Sequence, residues 1–222
     1  MNSINTVSHI TAREPPLRFM KQFMLTLLAL STTLMVDAQT AYQVKSVKAT
    51  VKGSSSLHDW ESQITKIECK GTFLSKGKVL TSIKNVKVKI AVEGIKSKEG
   101  KVMDKKTYEA FKSSKNPFII CELSMATVKT DANNEVTIEA ISNLTMAGTT
   151  KKVPLMAKGK VLANGDIQLS GSKKLIMSEY NMQPPTAVLG TIKVGDEVTV
   201  SFDLLLVKSK EDVKLFSKKI VK

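Results

Sequence analysis

The sequence predicts an all-β protein of about eight antiparallel strands, closed as an up-and-down barrel or packed as a sandwich. Three observations carry that expectation. Period-two alternation recurs from Tyr42 onward, turn-forming clusters separate the alternating segments, and only one stretch breaks the rhythm with helical spacing. Strands spaced this evenly without long intervening helices exclude a parallel sheet, which needs a crossover between each pair of strands.

The first element is a leader. Lys21 to Ala38 reads as a cation, a mostly apolar run from Phe23 to Val36, and Val36-Asp37-Ala38 before Gln39. That is the pattern of a secretory signal peptide cut after Ala38, and the run is too short and too interrupted by Ser31, Thr32 and Thr33 for a membrane span. No cysteine follows it, which argues against a lipid-anchored lipoprotein. Met20 stands directly before Lys21 and is an alternative start, with residues 1–19 as an upstream extension. The expected organisation is extension and signal peptide over 1–38, one β-barrel domain over 39–207 and a basic tail over 208–222. The expected location is the periplasm or the exterior.

The strands follow. In Val86-Lys87-Val88-Lys89-Ile90-Ala91-Val92 the aliphatic residues share one face and the lysines the other. Glu135 to Ile141 and Glu197 to Leu204 repeat the pattern. Ser75-Lys76-Gly77-Lys78, Asp131-Ala132-Asn133-Asn134, Asn164-Gly165-Asp166 and Val194-Gly195-Asp196-Glu197 are the expected turns. Met103 to Lys115 is the expected helix, with Asp104 as N-cap, Tyr108 and Phe111 on one face, and Asn116-Pro117 as its stop. From Lys208 the alternation ceases. Val213, Phe216 and Ile220 share a helical spacing among lysines, but so few large apolar residues favour a loosely docked tail over a membrane-surface helix.

Charge limits the partners. Removing residues 1–38 takes away Arg13, Arg18, Lys21, Glu14 and Asp37, so the formal charge falls only from +14 to +13. All the remaining cations are lysine, whereas phosphate and base-edge recognition favours the planar fork of arginine. Tyr42, Trp60, Tyr108 and Tyr180 are scattered, so no stacking platform for nucleic acid is evident. Lysines solubilising the outer face of a sheet account for the charge, together with a weak, salt-sensitive attraction to anionic membrane surfaces.

The chemical inventory is thin. His58, in Ser54-Ser55-Ser56-Leu57-His58-Asp59-Trp60-Glu61, is the one histidine after the leader. No nucleophile elbow, phosphate loop or zinc motif accompanies it, so no catalytic residue, metal or cofactor is expected. Cys69 alternates with Ile67 and Phe73, and Cys121 with Ile119, Leu123 and Met125, placing both thiols on the apolar side. The strand expected over Ile83–Ile95 separates them in a meander, which favours free thiols over a disulfide.

Four motifs then converge in order: Gly53 to Glu61, Met103 to Lys112 running into Lys115-Asn116-Pro117, Leu144-Thr145-Met146-Ala147-Gly148-Thr149-Thr150-Lys151-Lys152-Val153, and Met177 to Glu197 with its Pro-Pro-Thr-Ala and Gly-Thr-Ile-Lys runs. From Tyr42 to Val207 the chain resembles the YceI-like proteins. The resemblance implies an eight-stranded antiparallel lipocalin-like barrel with one short helix, without established catalytic activity. In some relatives its interior encloses a long polyisoprenoid chain. It implies an apolar lipid ligand contacted here by His58 and Trp60 near the mouth and by Phe73, Ile119 and Leu123 on the inner face. The sequence departs from the family where Met177-Ser178-Glu179-Tyr180-Asn181-Met182 replaces an Arg-containing R-x-x-F-G-like segment, and where Ala147 occupies a position at which histidine is frequent. If those polar residues hold a head group, this chain takes a different ligand or none. The competing readings are an envelope module with a filled barrel that binds a protein partner, and a hydrolase centred on His58.

Overall fold

The computed structural model describes residues 40–209. The leader with its cut after Ala38 and the tail from residue 210 lie outside the described residues.

Eleven strands form one antiparallel sheet. They are β1 (Thr40–Ser55), β2 (Trp60–Ile64), β3 (Ile67–Lys76), β4 (Val79–Ala91), β5 (Ile95–Ser97), β6 (Phe118–Thr130), β7 (Glu135–Met146), β8 (Thr149–Val161), β9 (Ile167–Ile176), β10 (Thr186–Ala187) and β11 (Ile192–Lys208). The eight long strands run in the order β1-β3-β4-β6-β7-β8-β9-β11, and β11 pairs back onto β1 from Tyr42↔Lys208 to Ser55↔Val194. That closure removes the exposed edges that an open sheet would leave. The barrel is therefore the correct member of the barrel-or-sandwich pair. The three short strands are appendages: β2 lies along β1, β5 along β2, and β10 along the start of β11.

Three of the expected turns close hairpins. Gly77 (φ 59°), Asn134 (φ 63°) and Gly165 (φ 85°) supply the left-handed residues of the β3–β4, β6–β7 and β8–β9 connections. The fourth does not. Val194 to Glu197 lies inside β11, where the register with β1 jumps from Gly53↔Val198 to Ser55↔Val194 and the excess residues bulge outward. Asp196 in this bulge accepts hydrogen bonds from the Ser178 N–H (2.8 Å) and hydroxyl, so the turn chemistry serves to anchor a neighbouring segment.

Bulges also correct the expected faces. Ser124 is an extra residue between Leu123↔Ser142 and Met125↔Ile141, so the inward parity moves from Leu123 to Ala126 and Met125 is exposed. The strand expected over Ile83–Ile95 instead starts at Val79, ends at Ala91 and is followed by a 3-10 turn at Val92–Gly94 before β5. The helix, α1, runs over Lys101–Ala110 with Gly100 as N-cap, earlier than expected at both ends. Asp104 is not its cap. Its buried carboxylate accepts the Ser97 N–H at 2.7 Å and pairs with Lys96 at 3.4 Å, tying α1 to β5.

The two ends of the barrel are built differently. At the end bearing the β3–β4, β6–β7 and β8–β9 turns, Phe73, Leu80, Val136, Ile167 and Leu206 are almost wholly inaccessible. The Tyr42 hydroxyl donates to the Gly165 carbonyl oxygen at 2.9 Å, closing that end. At the opposite end α1 lies over the opening, and its Tyr108 hydroxyl donates to the Glu93 carbonyl oxygen at 2.9 Å.

Candidate functional site

Inward-facing side chains of the eight long strands do not meet at the barrel axis. They leave a cavity of about 450 Å³, within the ~300–1,000 Å³ typical of small-molecule sites. Phe73 forms its floor, Ile119, Leu123, Ile138 and Leu204 are on its walls, and Met103 of α1 and Phe111 at its C-cap roof it. The lining is overwhelmingly apolar. Its few polar members include Ser55, His58, Ser97 and Glu99 around the roofed end and Lys173 on β9. All five residues expected at a ligand site, His58, Trp60, Phe73, Ile119 and Leu123, line this one cavity.

Trp60 is placed by a missing side chain. Its indole lies against Gly53 on the paired strand, where a Cβ would approach the ring to 2.4 Å, and its Nε1–H donates to the Ser54 carbonyl oxygen at 2.9 Å. His58 sits in the exposed β1–β2 turn. Ser55 Oγ donates to the His58 carbonyl oxygen at 2.7 Å, and the His58 Nδ1 donates to the Asp59 carbonyl oxygen at 2.7 Å. Ser56 Oγ instead accepts the Lys193 N–H at 3.0 Å. The imidazole thus has a backbone partner, and the Ser55 and Ser56 hydroxyls are bonded to backbone groups. Among the described residues no group of three or more His, Cys, Asp and Glu converges on a point.

Both cysteines face the cavity. Cys69 pairs with Val88 and Val88 with Cys121, so the thiols lie two strand spacings apart and are free. Two spacings are about 9.5 Å, beyond the ~7 Å that a disulfide tolerates. Burial pushes the Cys69 thiol up to about 11, with the nearby Cys121 adding to the shift. Burial also raises Cys121, partly offset by a hydrogen bond with Ser142. Neither is a poised nucleophile at neutral pH.

Two features escaped the sequence reading. First, the Tyr180 hydroxyl is buried with no hydrogen-bond partner, and desolvation, with the Glu179 charge beside it, raises its pKa. Second, the β8–β9 ladder stops short. It pairs Val161↔Ile167 through Ala157↔Gly171, after which Thr149–Met156 and Ser172–Ile176 continue without hydrogen-bonding each other. Period-two patterning gives the faces of a strand but not where its neighbour leaves it, so neither feature carried a signal.

The YceI-like domain model matches residues 30–206. Among solved structures, the chain is similar to BcnA of Burkholderia cenocepacia (14% identity, TM-score 0.55, covering 72% of this chain and 95% of that one). It is similar to a polyisoprenoid binding domain from Saccharophagus degradans (10% identity, TM-score 0.56, 77% and 99%). A Campylobacter jejuni YCEI protein also matches (17% identity, TM-score 0.51, 67% and 84%). No curated protein sequence matches. A closed eight-stranded barrel around an apolar cavity, matched by the family model over most of the chain, places this protein in the YceI-like domain family.

Proposed function

We propose that this chain is an exported, non-catalytic binding protein that carries or sequesters an apolar, isoprenoid-like lipid in its barrel. The observation that carries the reading is the size of the cavity and the apolar character of its lining. At ~24 cal/mol per Å³, an unfilled volume of 450 Å³ forgoes about 10 kcal/mol. That is as large as the net stability of an ordinary domain. Water is a poor filler, because the walls offer too few polar groups to hydrogen-bond it. A long, slender apolar molecule restores the missing contacts. Similarity to the polyisoprenoid binding domain of S. degradans supports an isoprenoid chain. The five lining residues His58, Trp60, Phe73, Ile119 and Leu123 are proposed contacts, Phe73 meeting the buried end and His58 and Trp60 the mouth.

Export is supported by the leader pattern of residues 21–38 and by membership of the family. Among the described residues no helix is long and apolar enough to cross a membrane.

The test is native mass spectrometry, with solvent extraction, of protein purified from its own envelope. A stoichiometric apolar lipid is expected. Leu123→Trp, which adds a ring to the cavity wall, should lose that lipid while retaining its far-UV circular dichroism. A barrel that is always empty and ignores added geranylgeraniol would overturn the proposal in favour of the envelope-module reading.

A further inference from the structure

We propose that the interrupted ladder between β8 and β9 is a port for the ligand's head group, and that Lys173 recognises an anionic head there. This rests on the lipid reading above and specifies the class of lipid.

The port has defined borders. Its lower end is the last pair, Ala157↔Gly171, where a Cβ on Gly171 would meet the Met156 carbonyl oxygen and the Phe202 ring at 2.6 Å. Its upper end is closed across the gap by Lys151 to Glu179 (3.3 Å) and by the Asn181 amide donating to Thr149 Oγ1 (3.0 Å). Between them Pro154 lacks an N–H, which blunts the β8 edge against pairing. Met156 pairs with Glu139 on the outer face and is exposed, yet it also lines the cavity. Met156 therefore borders both the cavity and the outer face at this wall.

Lys173 is the unexpected residue at that place. It shares the inner face of β9 with Leu169 and Leu175, and it is the one lysine lining the cavity among the described residues. Its neighbour Lys174 points outward and pairs with Glu197 at 2.7 Å. Among the described residues Lys173 has no ion-pair or side-chain hydrogen-bond partner. A cation on an apolar wall is unfavourable unless its head reaches water or an anion. The gap supplies water, and a bound anion would supply the missing partner. At the roofed mouth Glu99, the one carboxylate on the lining among the described residues, stands with Ser97 and between Lys98 and Lys101. An anionic head is thus attracted to Lys173 at the port. Lysine acts as a point charge without the bidentate geometry of arginine, so a phosphate or a carboxylate satisfies it. The ligand class is a single apolar chain ending in such a head, the chain lying along the cavity toward Phe73.

The test compares geranylgeranyl phosphate, palmitate and geranylgeraniol, titrated into the exported protein and into Lys173→Met and Lys173→Arg. Binding is read by calorimetry at low and high salt. Lys173→Met should weaken an anionic probe about tenfold, the worth of one charge-assisted contact. It should leave geranylgeraniol unchanged, and Lys173→Arg should restore the anionic probe. Whether phosphate, carboxylate or both respond identifies the head. Equal losses for all three probes, or no loss for the anions, would overturn the port while leaving the lipid reading intact. Failure of the unmodified protein to bind any probe would overturn both.

Discussion

The closed end of the barrel and its roofed end use the same strands for opposite purposes. Below, large side chains from every wall meet, and Phe73, Leu80, Ile167 and Leu206 are nearly inaccessible. Above, the same inner faces carry residues that stop short of one another, and α1 roofs the gap through polar contacts with β5. The difference teaches where each property resides. Side chains fill the axis in the plugged end, and the cavity opens toward the roofed one.

The contrast is sharpest for truncations of comparable side chains. Phe73→Ala should cost about 3–5 kcal/mol in urea unfolding, since it opens the floor of a packed cluster. Met103→Ala in the roof should cost about 1 kcal/mol or less while speeding ligand release. Equal losses at the two sites would erase the distinction between them. A polar flaw in the upper half gives a gain instead. Tyr180→Phe removes a buried, unpartnered hydroxyl and should stabilise the protein by about 1–2 kcal/mol in the same assay.

The thiols between the two ends give a pH dependence. The folded pKa of Cys69 lies at about 11, above the 9.0 of a free thiol, so the native state keeps a proton that the unfolded chain releases. Stability is therefore full below pH ~9 and lost as pH rises through ~11, with about 1 kcal/mol gone near pH 10. The raised Cys121 and Tyr180 act in the same direction. Cys69→Ala should flatten that alkaline slope in unfolding curves recorded from pH 8 to ~11. The smallest effect belongs to the exposed turn. His58→Ala should change stability by no more than ~0.5 kcal/mol. A larger loss would show that the turn is part of the packed structure.

Much of this architecture was legible in the chain. Alternation in Val86–Val92 and Glu135–Ile141 set the inner faces, and Gly77, Asn134 and Gly165 marked the turns. The inward face of Phe73, Ile119 and Leu123 followed from parity, and the cavity they line from the family resemblance. Parity failed where the bulge at Ser124 shifted it, and the bulge at Gly195 and Asp196 read as a turn, because an extra residue in one strand is visible only against its partner. For the same reason Asp104 read as a cap: its carboxylate serves Ser97 on a strand too short to show a period. Lys173 read as one more surface lysine in a lysine-rich chain. Only the missing rungs of the ladder beside it give it another meaning.

The pairing of β1 with β11 has a further consequence, for the timing of folding. The first strand cannot finish its ladder until the last is available, since Tyr42 waits for Lys208 and Gly53 for Val198. Such long-range closure makes folding slow compared with chains rich in local contacts. A nascent chain therefore lacks its final seam until the residues of β11 have been synthesised, and until then β1 presents an unpaired edge.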